Sequence, residues 1–351
     1  MVQPLYGSQK LHDDLRMTFR IKAPDARSVV IEFGKPEGPE RGERVYPMVK
    51  GDDGAWSVTT EPLRPGFHYY NVLIEGFACA DPAAPSYYGW GYWCSGVDIP
   101  DPSLPEAEAR NVPHGGVRMH WYHSAITGAE RRCMVYTPPG YDANLETRYP
   151  VFYLQHGSGE AEMSWPGQGR ANVILDNLLA AGKARPMLVV MDNGYAPPPG
   201  VPANAREQNR FAEVVVKELV PEIDRAFRTM ADREHRAIAG LSMGAGQALN
   251  IGLNNLDLFA SVCALSGGGR SFDPATSYGG LFADPAKANG RLKLLWIGCG
   301  RQDGGFAGAQ GMHQRLESLG VRHVWYECEG SHDWGVWRRH LVELAKVLFK
   351  G

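Results

Sequence analysis

The pentapeptide Gly240-Leu241-Ser242-Met243-Gly244 constrains this chain more than any other stretch. A strand-like run, Arg236-Ala237-Ile238-Ala239, leads into it, and a small-residue helical run, Ala245 to Gly252, follows. A G-x-S-x-G between a strand and a helix is a nucleophile elbow. The turn is so tight that its central serine takes strained backbone angles. Glycines on either side let neighbouring backbone pass where a Cβ would clash. The expected outcome is a Ser242 hydroxyl raised at the end of a sheet, with a helix N-terminus behind it.

The rest of the chain has two rhythms. Residues 10 to 80 alternate with period two: Met17, Phe19 and Ile21, then Val29, Ile31 and Phe33, then Trp56 and Val58, with Gly- and Pro-bearing turns between. That pattern predicts a small antiparallel sandwich over 1–99. The proline- and charge-rich stretch 100–112 predicts a linker. From 113 to 351, continuous apolar runs alternate with amphipathic ones. Strands are predicted at 132–137, 149–155, 187–192, 236–240, 259–265, 292–297 and 322–328. Helices are predicted at 170–181, 208–228, 308–319 and 334–350, with Pro221 kinking or dividing the second. Apolar strands alternating with helices imply a mostly parallel sheet covered on both faces. The predicted fold class is therefore α/β, an α/β-hydrolase domain preceded by a small all-β immunoglobulin-like sandwich. The Pro-rich segment 193–206 is long for a loop in a compact domain, which marks it as functional or mobile.

A nucleophilic serine needs a base, and the base needs an orienting carboxylate. In α/β-hydrolases the order is Ser, then Asp or Glu, then His, with the groups past the carboxyl ends of strands. Of the histidines after Ser242, His313 and His340 fall in predicted helices and His323 in a predicted strand. His332, just past a strand end, is the expected base. Asp303, on a Gly-flanked loop after the 292–297 strand, is the expected acid, with Asp273 and Asp284 as rivals. The oxyanion hole is expected from the backbone N–H of Met243 and of Ser158, with Gly157 as the alternative donor. His156 is expected to be a structural hydrogen-bonding residue. Trp165 and Trp334 are candidate walls of the substrate pocket.

The formal charge of −3 gives no electrostatic case for nucleic acid or an anionic membrane surface. No stretch approaches the ~20 apolar residues of a membrane span. The six cysteines, at 79, 94, 133, 263, 299 and 328, form no C-x-x-C or zinc-ligand spacing. No metal and no organic cofactor are expected, and four of the cysteines read as buried thiols. The start, Met1 to Tyr6, lacks a signal-peptide pattern. The expectation is a mature secreted or periplasmic form, or else a cytoplasmic protein.

With these residues placed, the second half resembles the feruloyl esterases of carbohydrate esterase family 1, in the wider esterase D-like group. The likeness rests on Tyr136 to Tyr141, His156-Gly157-Ser158-Gly159, Gln168 to Leu178, Asn193-Gly194-Tyr195, Gly240 to Gly244, Asp303, and Gly330-Ser331-His332-Asp333-Trp334. The resemblance implies a Ser242–Asp303–His332 triad and ester hydrolysis through an acyl-enzyme without a cofactor. The implied partner is feruloylated arabinoxylan or a derived oligosaccharide, with no nucleic acid and no membrane. The oligomeric state is not implied. The first half is similar to early-set sandwiches of carbohydrate-binding module family 48, on Gly54-Ala55-Trp56, Leu63 to Tyr70 and Asp81 to Pro85. The rings of Tyr87, Tyr88, Trp90, Tyr92 and Trp93 could stack on sugar or a phenolic acyl group, or pin the two halves together. A siderophore trilactone esterase, an acetyl-xylan esterase and a glycan-binding protein with a vestigial hydrolase domain are the alternative readings.

Overall fold

The computed structural model describes residues 9–34, 44–202, 208–269 and 271–350. The chain divides into two compact units, Met1–Glu108 and Ala109–Gly351. The boundary falls inside the stretch predicted as a linker.

The first unit is built from two antiparallel sheets. One runs β1 (Gln9–Leu11), β2 (Met17–Lys22), β6 (Ala55–Thr59), β5 (Val49–Lys50). The other runs β4 (Arg44–Pro47), β3 (Val29–Phe33), β7 (Gly66–Ile74), β10 (Tyr92–Ile99), β9 (Ser86–Gly89), with β8 (Phe77–Cys79) on β7. The alternating residues do what their period predicts. Met17, Phe19, Ile21, Val29, Ile31, Phe33 and Trp56 form the buried core with Tyr70 and Val72. The aromatic cluster packs within this unit: Tyr87 meets Phe67 edge-on at 4.9 Å and Trp90 lies 5.0 Å from Tyr69. Trp93, beside Tyr88, is 61% exposed.

The second unit carries an eight-stranded sheet in the order β11 (Gly116–Ser124), β12 (Ala129–Thr137), β14 (Leu188–Asp192), β13 (Val151–Gln155), β15 (Arg236–Leu241), β16 (Ser261–Leu265), β17 (Leu294–Gly300), β18 (Val324–Cys328). The first two pairings are antiparallel and all from β14 onward are parallel. Every residue of β13 to β16 is buried. Burial on both faces is why these strands read as unbroken apolar runs.

The helices are α1 (Ala171–Ala180), α2 (Phe211–Val214), α3 (Val220–Ala226), α4 (Met243–Asn254), α5 (Pro285–Arg291), α6 (Phe306–Ser318) and α7 (Trp334–Ala345). One core joins the sheet to Phe211, Val215, Leu219, Leu249, Met312 and Leu316. α1 and α7 pack on each other. Pro221 does divide its helix, by a specific device. Val215–Leu219 is a π-helical turn between α2 and α3, and the Val220 N–H reaches back to the Val215 carbonyl. The wider turn relieves the clash that a proline ring makes with the carbonyl four residues earlier. Residues 203–206 of the predicted long loop lie outside the described residues.

Candidate active site

Ser242 sits between β15 and α4 with φ 52° and ψ −112°. Its N–H donates to the Leu265 carbonyl at 2.9 Å, which fixes the turn against β16. The flanking glycines are steric necessities. A Cβ on Gly240 would lie 2.4 Å from the backbone of Gly244, and one on Gly244 would lie 2.5 Å from the His156 carbonyl. A left-handed non-glycine residue held this firmly stores strain of order 1–3 kcal/mol, and it turns the hydroxyl outward at the sheet end.

His332 follows β18 and Asp303 follows β17, neighbours in the parallel sheet. The His332 Nδ1 lies 2.7 Å from Asp303 Oδ2, and its Nε2 lies 2.8 Å from Ser242 Oγ. A nitrogen facing a carboxylate carries the proton. Nε2 is then the acceptor of the serine hydroxyl proton. The Asp303 Oδ1 accepts the Gly305 N–H at 2.7 Å. Burial pushes the Asp303 carboxyl up, but the bonds from His332 and Gly305 outweigh it and hold the group below its ordinary value. Asp273 and Asp284 are occupied elsewhere. Asp273 closes a turn by accepting the Ala275 N–H and the Thr276 hydroxyl, and Asp284 caps α5 through the Lys287 N–H.

The loop after β13 is tied down by side chains. Gly157 N–H donates to Glu160 Oε2 at 3.2 Å, and Gly159 N–H donates to the Tyr195 phenol at 2.7 Å. The Gly157 N–H thus already has a partner within its own loop. Met243 opens α4, where backbone N–H groups point along the positive end of the helix dipole. His156 is buried. Its Nδ1 donates to the Gly157 carbonyl at 2.8 Å and its Nε2 accepts the Gly194 N–H at 2.9 Å. Burial pushes it down to about 4, so it stays neutral as a structural bridge.

The two tryptophans do not line the cleft. Trp165 and Trp334 are 1% and 2% exposed and meet edge-on at 5.3 Å. Trp334 packs on Trp337 at 5.2 Å, and Trp337 packs on the His332 ring at 5.1 Å. Trp165 Nε1–H donates to the Gln155 carbonyl at 2.9 Å. These rings form a buried ladder from the end of β13 to His332. The expectation of pocket walls is corrected: helix α7 begins at Trp334 and turns that side chain inward. The cleft at Ser242 has a volume of about 710 Å³, and its aromatic walls are Phe272 and Tyr278. Neither was legible as a site residue, since the segment carrying them has no periodic pattern or motif.

One buried network supports the loop beyond β14. Asp192 accepts from Tyr122 at 2.6 Å and from Arg131 at 3.3 Å. Arg131 also donates to the Tyr195 carbonyl at 3.0 Å and to the Asn193 carbonyl. Burial raises the Asp192 carboxyl, and Arg131 pulls it the other way.

A serine, imidazole and carboxylate linked in this order suit nucleophilic attack on a carbonyl. The chain belongs to the esterase family, whose "Putative esterase" model matches residues 124–347. An endo-1,4-beta-xylanase/feruloyl esterase from Xylanibacter ruminicola is 37% identical over 344 residues, 95% of this chain and 44% of that protein. The chain therefore spans less than half the length of that relative. A solved ferulic acid esterase from Anaeromyces mucronatus is 26% identical with a TM-score of 0.60, covering 70% of this chain and 95% of that one. The enterobactin esterase of Shigella flexneri, at 20% identity and a TM-score of 0.66, covers 95% of this chain and 94% of that one, a likeness of fold.

Proposed function

We propose that this protein is a serine esterase that hydrolyses feruloyl esters of plant cell-wall polysaccharide. The observation that carries the proposal is the unbroken relay from Asp303 through His332 to Ser242 at a strained elbow. The similarity to proteins described as feruloyl esterases supplies the acyl group. In the proposed cycle, His332 Nε2 takes the hydroxyl proton as Ser242 Oγ attacks the ester carbonyl. The N–H groups of Met243 and Ser158 receive the oxyanion. The C–O bond to the sugar breaks, and the departing oxygen takes the proton from His332. Water then attacks the acyl-enzyme by the same route and releases ferulate.

The substrate proposed is feruloylated arabinoxylan or its oligosaccharides, a polymer met outside the cell or in the periplasm. The first unit is proposed to be a carbohydrate-binding-module-like sandwich. The test is hydrolysis of methyl ferulate, an aryl acetate and a catechol trilactone by the full chain and by Ser242→Ala. The reading requires that methyl ferulate be turned over with the highest kcat/KM. It also requires that Ser242→Ala lose on the order of 10⁴-fold or more in kcat. Preference for the trilactone or the acetate overturns the acyl assignment. Undiminished turnover by folded Ser242→Ala overturns the mechanism.

A further inference from the structure

The loops that deliver the acid and the base are joined by two neighbouring residues outside the triad: Arg301, whose guanidinium pairs with Glu327 and Glu329, and Gln302. β17 and β18 are paired up to Gly300 and Cys328. Beyond that point a parallel ladder ordinarily ends and its two strands diverge into separate loops. Here the pairing continues. Arg301 N–H donates to the Cys328 carbonyl at 2.9 Å, and Gln302 N–H donates to the Gly330 carbonyl at 3.0 Å. The Gln302 side chain then completes a two-way exchange. Its Oε1 accepts the Gly330 N–H at 2.6 Å, and its Nε2 donates to Glu329 Oε2 at 2.7 Å. The Ser331 hydroxyl leans on the Gln302 carbonyl at 3.4 Å. Gln302 thus grips residues 329, 330 and 331, immediately before His332, and itself immediately precedes Asp303.

The chemistry asks for glutamine. The grip needs an acceptor and a donor at the end of one side chain, and a primary amide supplies both. A glutamate would keep the acceptor for Gly330 but set its charge against Glu329. An asparagine is one methylene short. The loops can come this close because neither crossing point carries a side chain. A Cβ on Gly300 would lie 2.4 Å from the Gly330 carbonyl oxygen, and Gly330 itself has φ +122°.

We propose that Gln302 is a positioning residue of the active site: its amide locks the 329–331 loop to the 301–303 loop and so sets the hydrogen bond between Asp303 and His332. The inference rests on the hydrolytic reading above only for its kinetic arm. A displacement of catalytic groups by about 1 Å costs on the order of 10²-fold in rate. The exchange lies on the exposed rim of the sheet, so its loss acts on geometry more than on folding.

The experiment uses the full chain with Gln302→Met, which keeps length and removes both polar groups, and Gln302→Glu, which keeps only the acceptor. Steady-state kinetics on methyl ferulate are paired with proton NMR of the downfield His332 Nδ1 resonance and with thermal unfolding. For Gln302→Met the expected result is a kcat lower by roughly 10- to 100-fold, with KM within about twofold and the downfield resonance broadened or lost. Gln302→Glu is expected to fall between wild type and Gln302→Met on both readouts. An unchanged kcat with an intact resonance overturns the proposal. A rate loss that follows only the unfolded fraction, with the resonance intact in the folded protein, overturns it too. If the wild-type chain turned over none of the esters, the NMR arm would still read the Asp303–His332 bond, which separates failure of this proposal from failure of the hydrolytic one.

Discussion

Asp303, Asp273 and Asp284 are the same residue type on three loops, and their hydrogen bonds separate them. Asp303 meets an imidazole and a backbone N–H, whereas the other two hold a turn and a helix end. Replacing a carboxylate by an amide at Asp303 removes the charge that fixes the His332 tautomer. Loss of that control in a serine triad costs on the order of 10⁴ in kcat. Asp303→Asn is accordingly expected to fall by thousands-fold, while Asp273→Asn and Asp284→Asn stay within about tenfold in assays at neutral pH. A larger loss at either of the latter would move the acid elsewhere. Chain order and strand ends sufficed to bring these candidates forward, because a residue just past a strand end has its position dictated by the sheet. Side-chain direction was not legible in the same way. Trp165 and Trp334 stand beside site motifs in the sequence yet point into the interior, where each packs on the other. Tyr278 and Phe272 reach the cleft from a stretch whose left-handed backbone at 278–280 no pattern announces.

Among the central strands of the second unit, legibility followed burial. β13 to β16 are enclosed on both faces and declare themselves as apolar runs. β11 was missed because it is an edge strand whose exposed positions interrupt any such run, with Met119 and Trp121 about half exposed. Pro221 announced a break, but the π turn before it depends on which carbonyl the proline ring would meet. The β12–β14 pair also carries the most consequential buried charges. Arg131 and Asp192 are both buried, and they tie these strands to the Asn193–Tyr195 loop. Breaking such a pair by removing one partner costs about 3–5 kcal/mol, since the other charge is left buried alone. Arg131→Met is expected to lose that much in urea unfolding, and Arg131→Met with Asp192→Leu to recover part of it. A single variant as stable as wild type would show that the network contributes little to folding.

For the molecule as a whole, burial pushes down three histidines among the described residues, and His156 and His340 are shifted further than the half-buried His323. Burial pushes His156 down to about 4, against some support from its bond to Gly157, and burial pushes His340 down to about 3. His340 lies against Trp296 and Tyr326, and its Nδ1 has no hydrogen-bond partner among the described residues. In the unfolded chain each imidazole titrates near ~6.5. Between those values the unfolded state binds the proton and the folded state does not. The contribution to stability is therefore full above about pH 6.5 and declines as the pH falls, by up to about 1.4 kcal/mol per unit for each histidine. At pH 5 the two together remove about 4 kcal/mol, a large share of the ~5–15 kcal/mol that holds a domain folded. Asp303 moves in the opposite range: its carboxyl is held below the ordinary value, so its own share is lost only in stronger acid. Urea unfolding at pH 7.5 and 5.0 should show this loss, and His340→Phe, which fills similar space without a proton site, should roughly halve it. A wild-type midpoint that is level over that interval, or a His340→Phe slope equal to wild type, would locate the acid sensitivity outside these two side chains.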